Sequence, residues 1–190
     1  IQWRALYALW RSVPHGSIDV EISKKRDWLR KVSASPNPDV RIQLVTLLGR
    51  SKSADAADLL EAIEEKEMKK GEWRVQVQLA RSLATLLPKK PELLERIIPF
   101  MNSPNEHVRI AALQALALQA GDIIRTSPLR EKVRQTLLKI SQAAGKGPES
   151  VQGEALVTLG KHFPDDLSEL SIMLSNNETS PLLRAKILEG

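Results

Sequence analysis

Cysteine is absent, which excludes disulfides and thiolate metal sites but does not select a compartment. Aromatic residues make up only 4% of the chain, with one Tyr, two Phe and four Trp. A core so poor in rings has to be built from small aliphatic seams. No apolar run approaches the ~18 residues of a membrane span, so no spanning segment is expected. His15, His107 and His162 are isolated, and none belongs to an H-E-x-x-H motif or an i, i+4 pair. With neither thiols nor clustered imidazoles, no metal and no cofactor are expected. Gly145-Lys146-Gly147 lacks the spacing and preceding strand of a phosphate loop, and Asp165-Asp166 reads as a helix cap rather than an acid/base pair. No catalytic residue set emerges, so the chain is expected not to be an enzyme. No signal peptide is visible, and Ile1 opens in mid-pattern without an initiator Met. The chain is therefore expected to be part of a longer polypeptide, its localisation unassigned.

What the chain does have is a repeat. In Asn105–Ala117, apolar residues fall at Val108, Ala112, Leu113, Ala115 and Leu116, the spacing of an amphipathic helix. The same ladder recurs from Val40 (Leu44, Val45, Leu47, Leu48), from Val75 (Leu79, Ala80, Leu83) and from Val151 (Ala155, Leu156, Leu159). Partial copies start at Ile1 and Leu183. The starting positions are 39, 35, 33, 43 and 32 residues apart, a periodicity that predicts stacked helical units, each packed on its neighbours.

Pro38-Asp39-Val40-Arg41 and Ser103-Pro104-Asn105-Glu106-His107-Val108-Arg109 resemble the start of the second helix of a HEAT repeat, and the likeness extends over nearly the whole chain. Gln76 and Gln152 stand where the family prefers Arg. The resemblance implies an all-α fold: a right-handed α-α superhelix of about five helical hairpins beginning on a half repeat, with residues 1–190 forming one solenoid segment. It also implies that Arg41 and Arg109 are structural, pairing with turn acids such as Asp39.

Along the chain, first helices are predicted over 18–32, 54–69, 91–102 and 127–143, and from Asp165 onward. Ser53 is the expected N-cap of the second of these. The run Glu61, Glu64, Glu65, Lys66, Glu67, Lys69, Lys70 reads as a solvated face, and Pro99 should kink or shorten the last turn of its helix. Ser103 and Glu106 read as a capping box, Gly145–Pro148 as a turn, and Pro181 as the opening of the last helix. Trp3 falls at a buried position. Trp28 and Trp73 read as packing residues, and Trp10 marks an atypical unit where other copies carry Gly49, Ala84, Ala117 and Gly160.

The net charge is +5, concentrated at the N-terminal end: residues 1–50 carry nine basic against four acidic side chains. Counted from each ladder's first residue, positions +3, +6 and +10 lie opposite the core side. They are Arg4, Tyr7, Arg11; Gln43, Thr46, Arg50; and Gln78, Arg81, Thr85 in the first three copies, and the first acid in this series is Glu154. In HEAT-like solenoids the second helices line the concave surface, so the resemblance places Arg4, Tyr7, Arg11, Gln43, Arg50, Gln78 and Arg81 in the groove as partner-binding residues. The expected function is a non-enzymatic interaction scaffold for a protein partner or neighbouring domain, an acidic one if the arginines are used. Loose likenesses run to HEAT segments of large bacterial haem-binding, dehydrogenase-like proteins, although no C-x-x-C-H motif is present. The alternative is nucleic-acid binding, through a resemblance to HEAT-like DNA glycosylases with basic concave grooves.

Overall fold

The computed structural model describes residues 2–14, 17–51, 53–119, 121–142, 148–166, 181, 184 and 185. The 145–148 turn, the helix expected beyond Asp166, the Thr179–Ser180 helix start, His15 and the Trp10 side chain lie wholly or mostly outside them. Among the described residues every regular element is helical: α1 (Gln2–Ser12), α2 (Ile18–Lys24), α3 (Arg26–Ser33), α4 (Pro38–Leu48), α5 (Ala54–Lys70), α6 (Trp73–Leu86), α7 (Leu94–Met101), α8 (Glu106–Gln119), α9 (Gly121–Thr126), α10 (Arg130–Ser141) and α11 (Glu149–His162).

The apolar ladders set the arrangement. Helices α1, α4, α6, α8 and α11 touch one another in that order, while α2–α3, α5, α7 and α10 back them from the other side. Packing is more extensive along the first row than along the second, so the first row is the inner, tighter side of an α-solenoid. Leu44, Leu79, Leu113 and Ala155 are fully buried at the seam of this row, and one continuous core runs from Leu6 to Phe163. Close approach of the inner helices depends on small residues. A Cβ on Gly49 would lie 2.6 Å from Ser82 Oγ. The Ser82 hydroxyl donates to the Val45 carbonyl at 3.2 Å, and Thr158 donates to that of Leu113 at 3.2 Å.

Two inner helices begin with the same device. Asn37 Oδ1 accepts from the Asp39 amide at 2.9 Å, and Asn105 Oδ1 accepts from those of His107 and Val108 at 3.0 and 3.4 Å. The predicted Ser103/Glu106 capping box is thus replaced by an Asn105 cap, with Ser103 Oγ accepting from the Asn105 amide at 3.2 Å. Arg41 and Arg109 then fold back over the turn, each donating at 2.7 Å to the carbonyl of the serine six residues earlier, Ser35 or Ser103. Ser53 caps α5 as expected, accepting from the Ala56 amide at 3.2 Å.

Four expectations about the helices change. The 18–32 helix breaks at Lys25 with neither Gly nor Pro; around the break Ser23 bonds Asp55 at 2.7 Å and Arg26 pairs with Asp55 and Asp58 at 3.2 and 3.0 Å, tying α2 and α3 separately to α5. The 91–102 helix begins as a 3-10 turn at Pro91–Leu93 before α7. The extra helix α9 accounts for the 43-residue spacing between Val108 and Val151. The charge run on α5 is not wholly solvated: Glu67 is 0% and Glu64 8% exposed. Arg41 reaches Glu67 Oε1 at 2.6 Å, whereas Asp39 pairs with Arg74 at 3.5 Å. The acid paired with Arg41 therefore comes from the body of the next first helix rather than from its own turn.

Candidate functional site

On the inner row, the core-opposed stripe is open or half-open in the first three copies, whereas Ala111 and Val157, at the same offsets in later copies, are buried. Arg4, Tyr7, Arg11, Arg81 and Thr85 are exposed, and Gln43, Thr46, Arg50 and Gln78 are half-buried. The stripes of successive helices meet: Gln114 on α8 donates to Glu154 on α11 at 3.2 Å. Polar side chains also fasten along their own helices, with Thr46 bonding the Ile42 carbonyl, Thr85 that of Arg81, and Gln78 the Ser82 hydroxyl.

Cationic character is strongest at the α1 end. The Arg4 guanidinium lies 5.8 Å from the Trp3 ring centroid, and Trp3 stands 6.4 Å from Tyr7 with the rings inclined at 60°. Trp3 is 44% exposed and Tyr7 43%, so the expected burial of Trp3 is corrected. Position +2 is only half-buried in the other copies (Ile42, Val77, Ile110). Among the described residues, neither Arg11 nor Arg81 forms an ion pair. Arg50 is engaged within the fold, while Arg4, Arg11 and Arg81 are exposed. Trp73 and Trp28 are also partly open, at 40% and 36%. Trp73 packs on His107 across α6 and α8 at 5.0 Å. Both were expected as packing residues; Trp73 does pack, yet each keeps more than a third of its surface open.

Two buried groups titrate away from their usual values. Burial pushes the Glu64 carboxyl up, opposed by Arg96, whose Nε lies 2.7 Å away. Burial pushes His162 down, opposed by the Leu116 carbonyl 3.0 Å from its Nε2. The carbonyl can only accept, so Nε2 carries the proton of the neutral ring. Among the described residues no group of three or more His, Asp or Glu is arranged to hold a metal ion, and no helix is long and apolar enough to cross a membrane.

Fold and surface together define an α-solenoid of HEAT-like hairpins with a polar inner face, cationic toward its N-terminal end. No protein-family model and no curated protein sequence matches the chain. Among solved structures it is similar to smu.31 from Streptococcus mutans UA159, at 21% identity and a TM-score of 0.48, covering all of this chain and 90% of that one. It is likewise similar to AlkD2 from Streptococcus mutans, at 22% identity and a TM-score of 0.48, covering all of this chain and 89% of that one. The expectation that the chain is not an enzyme is withdrawn, since AlkD2 stands among the solved structures of similar fold.

Proposed function

We propose that the inner face of α1, α4 and α6, within a solenoid segment spanning residues 1–190, binds the phosphate backbone of nucleic acid. The observation that carries this reading is the exposure of Arg4, Arg11 and Arg81 on one stripe that has no carboxylate before Glu154. Arginine presents a planar fork of donors that matches phosphate oxygens. Tyr7 and the half-buried Gln43 and Gln78 add hydrogen-bonding groups beside it, the kind of backbone contact that positions a protein on nucleic acid without reading sequence. Displacement of condensed counterions by the arginines would supply most of the affinity.

The test is fluorescence anisotropy of a labelled duplex titrated with the chain at low salt. Binding that weakens with salt, and weakens further in Arg4→Ser/Arg11→Ser/Arg81→Ser, is the expected result. Absence of binding at low salt overturns the proposal. A second reading, an acidic protein segment on the same arginines, rests on the same stripe of charge. It predicts capture by a polyglutamate peptide that duplex DNA fails to displace.

A further inference from the structure

Successive hairpins meet along the edge formed by their turns, and two of these meetings can be compared residue by residue. Where the α3–α4 and α5–α6 turns meet, Arg41, one residue into its ladder, crosses to Glu67 at 2.6 Å, and Asp39 pairs with Arg74 at 3.5 Å. Glu67 stands eight residues before the next ladder. Where the α5–α6 and α7–α8 turns meet, the same two places hold Gln76 and Phe100. Phe100 is fully buried. Gln76 turns back on its own hairpin, donating from Nε2 to the Glu67 carbonyl at 2.6 Å. Among the described residues no ion pair joins these two turns. A short amide and a ring thus replace the closing arginine and carboxylate, and a cavity of about 480 Å³ lies between the turns. That is within the ~300–1,000 Å³ of small-molecule sites. Helices α4 and α8 pack on α6 from either side, so this opening lies inside the row and not at an end of it.

The walls are chemically mixed. Met68, Trp73 and Pro99 supply apolar surface, and Gln76, Asn102 and Asn105 supply carboxamides. The charged lining residues, Lys69 and Glu72, are one of each sign, so the seat is neutral on balance. Trp73 is 40% exposed, and His107 packs on its ring at 5.0 Å with the planes inclined at 33°. His107 is not among the lining residues, so the indole is held from one side and turns another surface to the cavity. Asn102 donates from Nδ2 to the Ile98 carbonyl at 3.2 Å, and Asn105 Oδ1 accepts from the first amides of α8. These bonds orient the three carboxamides. The Gln76 and Asn102 oxygens and the Asn105 amide group are the parts that can meet a ligand.

We propose that this cavity binds an uncharged nucleobase, stacked on Trp73 and hydrogen-bonded along its edge by Gln76, Asn102 and Asn105. A stacking ring beside oriented amides of both donor and acceptor kind is the chemistry that recognises base edges. A proline-rich segment fits less well, because prolines bring no N–H to the two amide oxygens. The base can come from an unpaired nucleotide of a bound strand or from a free nucleoside. Only the first source rests on the phosphate-binding reading of the inner face. Trp73 and Arg81 lie eight residues apart on α6, about 12 Å along its axis.

The experiment uses the whole chain and has two arms. In the first, adenosine, whose edge offers the donor and acceptor that a carboxamide matches, is titrated by calorimetry. In the second, anisotropy compares a labelled duplex carrying one unpaired adenine with its fully paired counterpart, and the bulged duplex is expected to bind about tenfold more tightly. Trp73→Ala should abolish adenosine binding and the bulge preference while leaving affinity for the paired duplex unchanged. Gln76→Arg, which places in the cavity the arginine that other copies carry, should do the same without lowering the unfolding midpoint. Arg4→Ser/Arg11→Ser/Arg81→Ser should leave adenosine binding unchanged. Adenosine binding by a chain that fails to hold any duplex would therefore sink the phosphate reading and support this one, with a free nucleoside as the source. A bulge preference would support it with a bound strand as the source. The proposal is overturned by no adenosine binding together with equal affinity for the two duplexes, or by binding that survives both Trp73→Ala and Gln76→Arg. Trp73-dependent capture of a proline-rich peptide that adenosine fails to displace would also overturn it.

Discussion

The pair formed by Arg41 and Glu67 gives the sharpest prediction about how the solenoid holds together. Arg41 Nε meets Glu67 Oε1 at 2.6 Å, with side-chain exposures of 9% and 1%. The same guanidinium donates from Nη1 to the carbonyls of Ser35 and Pro36 at 2.7 and 3.2 Å, and Glu67 Oε2 accepts from the Glu72 amide at 2.9 Å. One contact thus links the turn before α4, the end of α5 and the start of α6. Glu67→Ala leaves a buried cation facing two carbonyls with no counter-charge, and Arg41→Ala leaves a buried carboxylate with a single amide. Either change should cost about 3–5 kcal/mol. That is a large share of the ~5–15 kcal/mol that holds a domain folded. Arg41→Met/Glu67→Leu removes both charges, so it should fall short of the summed single costs by about 1–3 kcal/mol. Urea unfolding followed by far-UV circular dichroism measures this. With a slope of about 2–3 kcal/mol/M, each single variant should lose roughly 1–2 M in midpoint. Single losses of only a few tenths molar, or strict additivity in the double variant, would refute the reasoning.

Three further outcomes are expected. Gly49→Ala drives a Cβ onto Ser82 Oγ and Cβ at 2.6 and 2.7 Å and should destabilise by about 1–3 kcal/mol; Gly49→Ala combined with Ser82→Gly should recover part of that loss in thermal melts. His162 is held below its ordinary value of 6.5 by burial. The unfolded chain therefore binds the proton more tightly, and stability should fall as pH drops below about 6.5. His162→Gln should flatten that part of the curve of midpoint against pH, and an unchanged slope would contradict the assignment. Glu64 has the opposite sign: burial raises its value above 4.5, so the folded chain prefers its protonated form. Its contribution is present below about 4.5 and is lost as pH rises through the raised value. Glu64→Gln should reduce that loss, provided the measurement is corrected for the broken Arg96 pair.

Much of the architecture could be read from the sequence because apolar spacing and helix burial have the same cause. Val40, Val75, Val108 and Val151 start ladders whose members are the buried residues of α4, α6, α8 and α11. What periodicity could not show depends on neighbours. Glu67 lies within a run of charges, and only the approach of Arg41 from another hairpin makes its burial tolerable. The break at Lys25 has no local Gly or Pro, and the bonds to Asp55 and Asp58 that flank it come from another helix. Asn105 rather than Ser103 caps α8, because the helix begins two residues further on, at Glu106, where the Asn105 side chain reaches its first free amides. The exposure of Arg4, Tyr7, Arg11 and Arg81 on the inner row was legible from helical offsets, whereas the partial burial of Gln43, Arg50 and Gln78 was not. The engagement of Arg50 and the contact of Gln114 with Glu154 were not, since both depend on how adjacent helices are packed.

The central functional claim is tested most directly by the salt dependence of duplex binding. Three arginines on phosphates should give a slope of log K against log salt of about −2.7, or roughly a 40-fold loss between 50 and 200 mM. Arg4→Ser/Arg11→Ser/Arg81→Ser should bring that slope close to zero. A wild-type slope near zero, or a slope unchanged by the triple substitution, would contradict a phosphate-binding inner face.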